Sequence, residues 1–136
     1  MGYVERCLWD YRDNLASIEI MREELAGLMS VHGPELGGNI SGGSSDPVSR
    51  VCERVIMLER NIKKAEKMTV PITRMSEGLC GSDLRISQMR EILRLKYFEH
   101  GSKEAVIREA GITEKTYYRR CSEIKRLARK YFGEWA

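Results

Sequence analysis

A chain of 136 residues, 42% hydrophobic and 32% charged, has room for one or two small globular domains and excludes bulk disorder. Its net charge of +3 hides a split: residues 1–46 carry 3 Lys and Arg against 8 Asp and Glu, whereas residues 47–136 carry 20 against 12. The basic part points to a polyanionic partner, and the acidic part to packing or partner binding.

No apolar run approaches the roughly 20 residues of a membrane-spanning helix, and "MGYVERC" lacks the apolar core of a signal peptide, so a cytoplasmic protein with no membrane partner is expected. Arg6 stands where a myristoylation signal wants Ser or Thr. Cys7, Cys52, Cys80 and Cys121 are widely spaced, with only His32 and His100 as companions. That spacing gives a metal site no support, and the cysteines read as reduced thiols, with Cys52 and Cys121 facing a core.

From Val4 the apolar residues fall on a heptad, with Val4, Tyr11, Ile18 and Leu25 at one position and Leu8, Leu15 and Met29 at the other. This spacing predicts a helix that packs lengthwise on another helix. "VHGPELGGNISGGSSDP" then reads as a flexible loop, closed by an Asp46 cap and by Pro47 at a first helical position. Val48, Val51, Val55, Leu58, Ile62 and Ala65 repeat the spacing, so residues 1–70 read as an antiparallel, coiled-coil-like helical hairpin. So small a pair buries little area, which leaves two uses open: packing alone, or self-association into a homo-oligomer.

Pro71, Gly78 and Gly81 predict an irregular linker over residues 71–83. A third helix is expected from Ser82 or Asp83 to Gly101, with Ile86, Met89, Leu93 and Tyr97 on one face. Ser102 caps a fourth, in which Ala105, Val106 and Ala110 turn inward, and Gly111 ends it. Thr113 caps a fifth, with Glu114 in the first turn, where the helix dipole favours an acid. The fold class expected is all-α, with residues 84–136 forming a tri-helical DNA-binding domain.

From Gly111 to Tyr131 the fifth helix holds seven cationic residues and two acids. A short helix, a tight turn and a longer basic helix make the helix-turn-helix pattern, whose second helix enters the major groove of DNA. Tyr117, Cys121, Ile124, Ala128 and Tyr131 form its inward stripe. Lys115, Thr116, Tyr118, Arg119, Ser122 and Arg126 lie on the opposite side as candidate DNA contacts, with base readout placed over Lys115 to Arg120. Arg120, Lys125, Arg129 and Lys130 suit flanking phosphates or solvent, and Ser102 and Lys103 are candidates for clamping the DNA backbone. The competing bland reading is a solvated basic face on an interaction module.

"ILRLKYFEHGSKEAVIREAGITEKTYYRRCSEIKRLARKYF", Ile92 to Phe132, resembles the C-terminal part of phage transcriptional regulators of the RinA/ArpU type, whose helix-turn-helix is similar to region 4 of bacterial sigma factors. The heptad helix, the loop ending in "SSDPV" and the second helix are laid out similarly, and "TEKTYYRR" is the most specific piece. The resemblance implies a sequence-specific regulator that activates phage or prophage late genes through the host RNA polymerase, at the nucleoid of a bacterial cell. It also implies that Lys115, Thr116, Tyr118, Arg119 and Arg120 are recognition contacts. The connector "TVPITRMSEGLCGSD" departs from the more helical link of that pattern.

The glycine-rich loop lacks the Gly-Lys-Ser/Thr ending of a phosphate-binding loop, and neither histidine has a partner set for nucleophilic catalysis, so no enzyme and no cofactor are expected. Two alternatives stay open: a phage small terminase or packaging adaptor, and a protein–protein adaptor whose basic face meets an acidic protein.

Overall fold

The computed structural model describes residues 2–36 and 47–135, and every regular element among them is helical. The all-α class is thus observed. In chain order the elements are α1 (Tyr3–Trp9), α2 (Tyr11–Leu36), α3 (Pro47–Gly78), α4 (Leu84–Ile92) with a π-helical extension (Leu93–Phe98), α5 (Lys103–Ala110) and α6 (Glu114–Trp135). The chain divides into two compact units, one formed by residues 1–14 with 67–136 and the other by residues 15–66.

Side-chain oxygens start the three short-range helices as the sequence predicts. Asp83 Oδ1 accepts from the Arg85 and Ile86 N–H groups at 2.8 and 3.4 Å, Ser102 Oγ from Ala105 at 3.2 Å, and Thr113 Oγ1 from Thr116 at 3.1 Å. Each satisfies an N–H that the first turn leaves without an intrahelical acceptor. Gly111 closes α5 at φ 66°, ψ 39°, and the N–H groups of Gly111 and Ile112 both reach the Ile107 carbonyl, at 3.0 and 3.2 Å. That left-handed closure suits glycine, which has no Cβ to clash.

In the first unit one core joins both ends of the chain. Cys7, Leu8 and Tyr11 are buried with Ile72, Met75 and Leu79 from α3, with Met89, Ile92, Leu93, Leu95 and Tyr97, with Val106, and with Tyr117, Cys121, Ile124 and Ala128 from α6. At 100° per residue, Ile92, Leu93, Leu95 and Tyr97 spread too widely for one narrow α-helical face. Here the helix widens to π geometry, with the Glu99 N–H reaching back to the Arg94 carbonyl at 2.9 Å. It ends at Phe98, before the expected Gly101, and His100 turns left-handed at φ 57°. The His100 ring stacks on Trp9 at 3.9 Å, and its Nε2 lies 2.6 Å from the Trp9 carbonyl oxygen, tying α1 to this turn. Gly101 follows, where a Cβ would sit 2.9 Å from the Leu95 carbonyl oxygen.

Three expectations need correction. The heptad helix is interrupted at Asp10, so the stripe from Val4 belongs to two helices, and Leu15 and Met29 are exposed rather than packed. α2 runs through Gly33 and Pro34 to Leu36, into the expected loop; the rest of that loop, with Asp46, lies outside the described residues. Finally, α3 does not stop at Pro71. It continues to Gly78, and Pro71, Ile72 and Met75 are fully buried, so burial offsets the backbone bond that proline forgoes. The two compact units meet in the chain near residues 14 and 67, and residues 79–83 connect α3 to α4.

The second unit is built from residues of α2 and α3. Ile18, Ile62 and Ala65 form the buried cluster, with Met21 and Leu25 packed against it. Arg22 pairs with Glu66 at 2.8 Å, and Arg54 grips Glu24 through two bonds of 2.8 and 2.9 Å. Val55 and Leu58 are buried, while Cys52, expected to face a core, is half-buried.

Ile124→Ala should destabilise the protein by about 2–5 kcal/mol in urea unfolding, because a fully buried branched side chain leaves a cavity, whereas exposed Ile20→Ala should shift the midpoint by less than about 0.5 kcal/mol. Gly111→Ala should cost roughly 1–2 kcal/mol through its left-handed backbone alone, since open space surrounds the added Cβ.

Candidate nucleic-acid interface

The rotation of α6 is set by its buried stripe of Tyr117, Cys121, Ile124 and Ala128. With those four inward, Lys115, Arg119, Ser122 and Arg126 recur at i, i+4, i+7 and i+11 and fall on one exposed line. Lys130 extends the line by a turn. Glu114 and Glu123 lie on its flanks, so the line itself carries no acid. Among the described residues, no carboxylate comes within ion-pair distance of Lys115, Arg119, Arg126 or Lys130. Lys125 and Arg129, by contrast, lie 3.8 and 3.9 Å from Glu5 on α1.

Not every predicted contact residue joins this line. Arg120 is turned toward α4: its Nε donates to Gln88 Oε1 at 2.9 Å, another nitrogen pairs with Glu123 Oε1 at 2.9 Å, and the side chain is only 14% exposed. Glu123 also accepts from Arg85 Nε at 2.9 Å, so one carboxylate bridges two guanidinium groups. Burial works against the charge of Glu123, but Arg85 and Arg120 outweigh it and hold the carboxyl below its ordinary range. Arg120 is therefore a brace between α4 and α6. Gln88 and Glu123 were missed at the sequence level, although an acid at a half-buried register of so basic a helix is a readable sign of an internal pair.

Lys103 has partners within the fold. Its Nζ donates to Glu114 Oε1 and to Tyr118 Oη, both at 3.1 Å, and these bonds raise its affinity for the proton above that of an ordinary lysine. Ser102 spends its hydroxyl on the cap of α5, and Thr116 is half-buried with its hydroxyl 3.0 Å from that of Thr113. Tyr118 remains 52% exposed at the margin of the basic line, with its ring edge-on to Tyr117 at 5.3 Å.

Behind the line α6 is anchored by more than apolar burial. Half-buried Lys96 places its ammonium 3.5 Å from Cys121 Sγ and 5.2 Å above the Tyr117 ring. A groove of about 300 Å³ beside Arg126 and Lys130 is floored by Ile86, Met89 and Leu127. Among the described residues, no three His, Cys, Asp or Glu side chains gather as metal ligands, and no helix is long and apolar enough to cross a membrane. Comparison with protein-family models, with curated proteins and with solved structures finds no match.

The two neighbouring arginines should separate cleanly in unfolding experiments. Arg120→Ala should lower stability by about 1–3 kcal/mol by stranding Gln88 and leaving Glu123 with Arg85 alone, whereas Arg119→Ala should leave it within about 0.5 kcal/mol. Because the Glu123 carboxyl is depressed in the folded state, its contribution is present above the ordinary carboxylate pKa of about 4.3 and is lost as pH falls through the folded value. Glu123→Gln should accordingly flatten the loss of thermal stability on acidification below about pH 5.

Proposed function

We propose that this chain is a sequence-specific, double-stranded DNA-binding transcriptional regulator in which α5 and α6 act as a helix-turn-helix. The observation that carries this reading is the acid-free line of Lys115, Arg119, Ser122 and Arg126 on a helix whose rotation the core fixes. From Lys115 to Arg126 the line spans about 16 Å at 1.5 Å per residue, a length that lies within a major groove wide enough to admit one helix. Lys115 and Arg119, in the first turns, are the base-reading candidates, Thr116 and Tyr118 supply hydroxyls beside them, and Arg126 with Lys130 meets phosphates further along. Arg120 supports the helix rather than the DNA.

The resemblance of Ile92 to Phe132 to RinA/ArpU-type regulators extends the proposal to activation of phage or prophage late genes, with the host RNA polymerase as a second partner. Self-association is assigned to the unit of residues 15–66. Its buried cluster is small, while Leu15, Ile20, Met29, Ile56 and Met57 stand exposed on it. A symmetric dimer reads two half-sites about one helical turn apart.

The test is binding of purified protein to fragments of the genome that encodes it, at near-physiological salt. Wild type should prefer one fragment, and Arg119→Ala or Lys115→Ala should each lose about 1–3 kcal/mol on that fragment and little elsewhere. Arg126→Ala should weaken all fragments alike and reduce the salt slope by about one. Weak, uniform binding indifferent to all three changes would replace this reading with that of a protein–protein adaptor.

A further inference from the structure

Lys103 opens α5 and Tyr118 lies in the second turn of α6, yet the two side chains meet across the Gly111 turn. Lys103 Nζ is 3.1 Å from Tyr118 Oη and 5.4 Å from the centre of its ring. A second ammonium hydrogen goes to Glu114 Oε1, also at 3.1 Å. An ammonium group has donors only, so the tyrosine oxygen must accept in this contact. The hydroxyl hydrogen is then directed away from Lys103, and no acceptor for it is present among the described residues. An exposed tyrosine hydroxyl ordinarily serves as donor or acceptor by rotating; here one of its two capacities is already taken.

We infer that Tyr118 is a donor-only contact that determines specificity at this interface: its hydroxyl gives a hydrogen bond to an unprotonated acceptor on double-stranded DNA. Lys103 is the positioning residue that removes the hydroxyl's freedom to accept, and Glu114 holds Lys103 in place. In the major groove, purine N7, guanine O6 and thymine O4 satisfy such a donor, while the amino edges of cytosine and adenine do not. A phosphate oxygen offers the same acceptor chemistry without sequence information. The inference rests on the DNA-binding reading above and adds to it the polarity of one contact.

The experiment uses the full chain, the Tyr118→Phe and Lys103→Met variants, and the duplex that wild type enriches from a randomised 20-base-pair library. Tyr118 is half exposed, so Tyr118→Phe should keep the helicity and unfolding midpoint of wild type. It should bind the selected duplex about threefold to tenfold more weakly, the usual worth of one hydrogen bond. Duplexes with 7-deazapurines, with 2-aminopurine in place of guanine, with 5-methyl-2-pyrimidinone in place of thymine, or with single methylphosphonates remove N7, O6, O4 or a phosphate oxygen in turn and locate the acceptor, because the modification that removes it also removes the difference between wild type and Tyr118→Phe. With a base acceptor, Lys103→Met should admit cytosine or adenine amino edges at a position where wild type excludes them; with a phosphate acceptor, it should weaken all duplexes alike.

Equal binding by wild type and Tyr118→Phe overturns the inference and leaves the DNA-binding reading intact. So does a loss in Tyr118→Phe that no modified duplex abolishes. If wild type retains no duplex from the library at all, the DNA-binding reading itself fails, and the assignment of Tyr118 fails with it.

Discussion

The burial of Tyr117, Cys121, Ile124 and Ala128 fixes how α6 is turned about its own axis, and every other feature of the candidate interface follows from that rotation. Side chains on a helix advance by 100° per residue, so once four positions face a close-packed core the opposite line is determined. The core that receives this stripe is drawn from both ends of the first unit's chain. α1 and the last turns of α3 contribute Leu8, Ile72 and Met75, all essentially without exposure. Removing those contributions would leave α6 resting on α4, the π-helical segment and α5 alone.

Counting positive charge on α6 overstates what is available to a ligand. Of its seven cations, Arg120 is committed to Gln88 and Glu123, and Lys125 and Arg129 lie near Glu5. The remaining four, Lys115, Arg119, Arg126 and Lys130, share one face. A charge already paired has less to gain from a phosphate, because the old partner must be given up or carried into the complex as repulsion. Unpaired cations carry no such cost, and with a polyanionic ligand the release of its counterions would add to the driving force. The paired residues instead hold α6 against α4 and α1, which keeps the unpaired ones in register.

Much of this was legible in the sequence, and the failures have a common physical origin. The caps at Asp83, Ser102 and Thr113, the left-handed Gly111 and the inward stripe of α6 were all readable, because each depends on neighbours within a few residues. The error at Pro71 arose where local propensity competed with packing. Proline at position 71 weakens a helix in isolation, but here its ring is fully buried with Ile72 and Met75 beside it, and burial prevails. The π-helical segment left no sequence signature beyond an apolar set too wide for one α-helical face. At the candidate interface the residue types were legible and their allegiances were not. Arg119 and Arg120 are identical in type and adjacent in sequence, yet 100° of rotation sends one to solvent and the other to Gln88.

The same reasoning explains why the turn between α5 and α6 matters more than its three residues suggest. Gly111 adopts a conformation costly to any residue with a Cβ, and the N–H groups of Gly111 and Ile112 close onto one carbonyl. This brings the first turn of α5 beside the first turns of α6, so that Lys103 can reach Glu114 and Tyr118. The backbone geometry of one glycine thus decides which atom of a tyrosine is left to face outward. Side chains eleven and fifteen residues from Lys103 become its hydrogen-bonding partners, a pairing that no periodicity along α5 or α6 alone encodes.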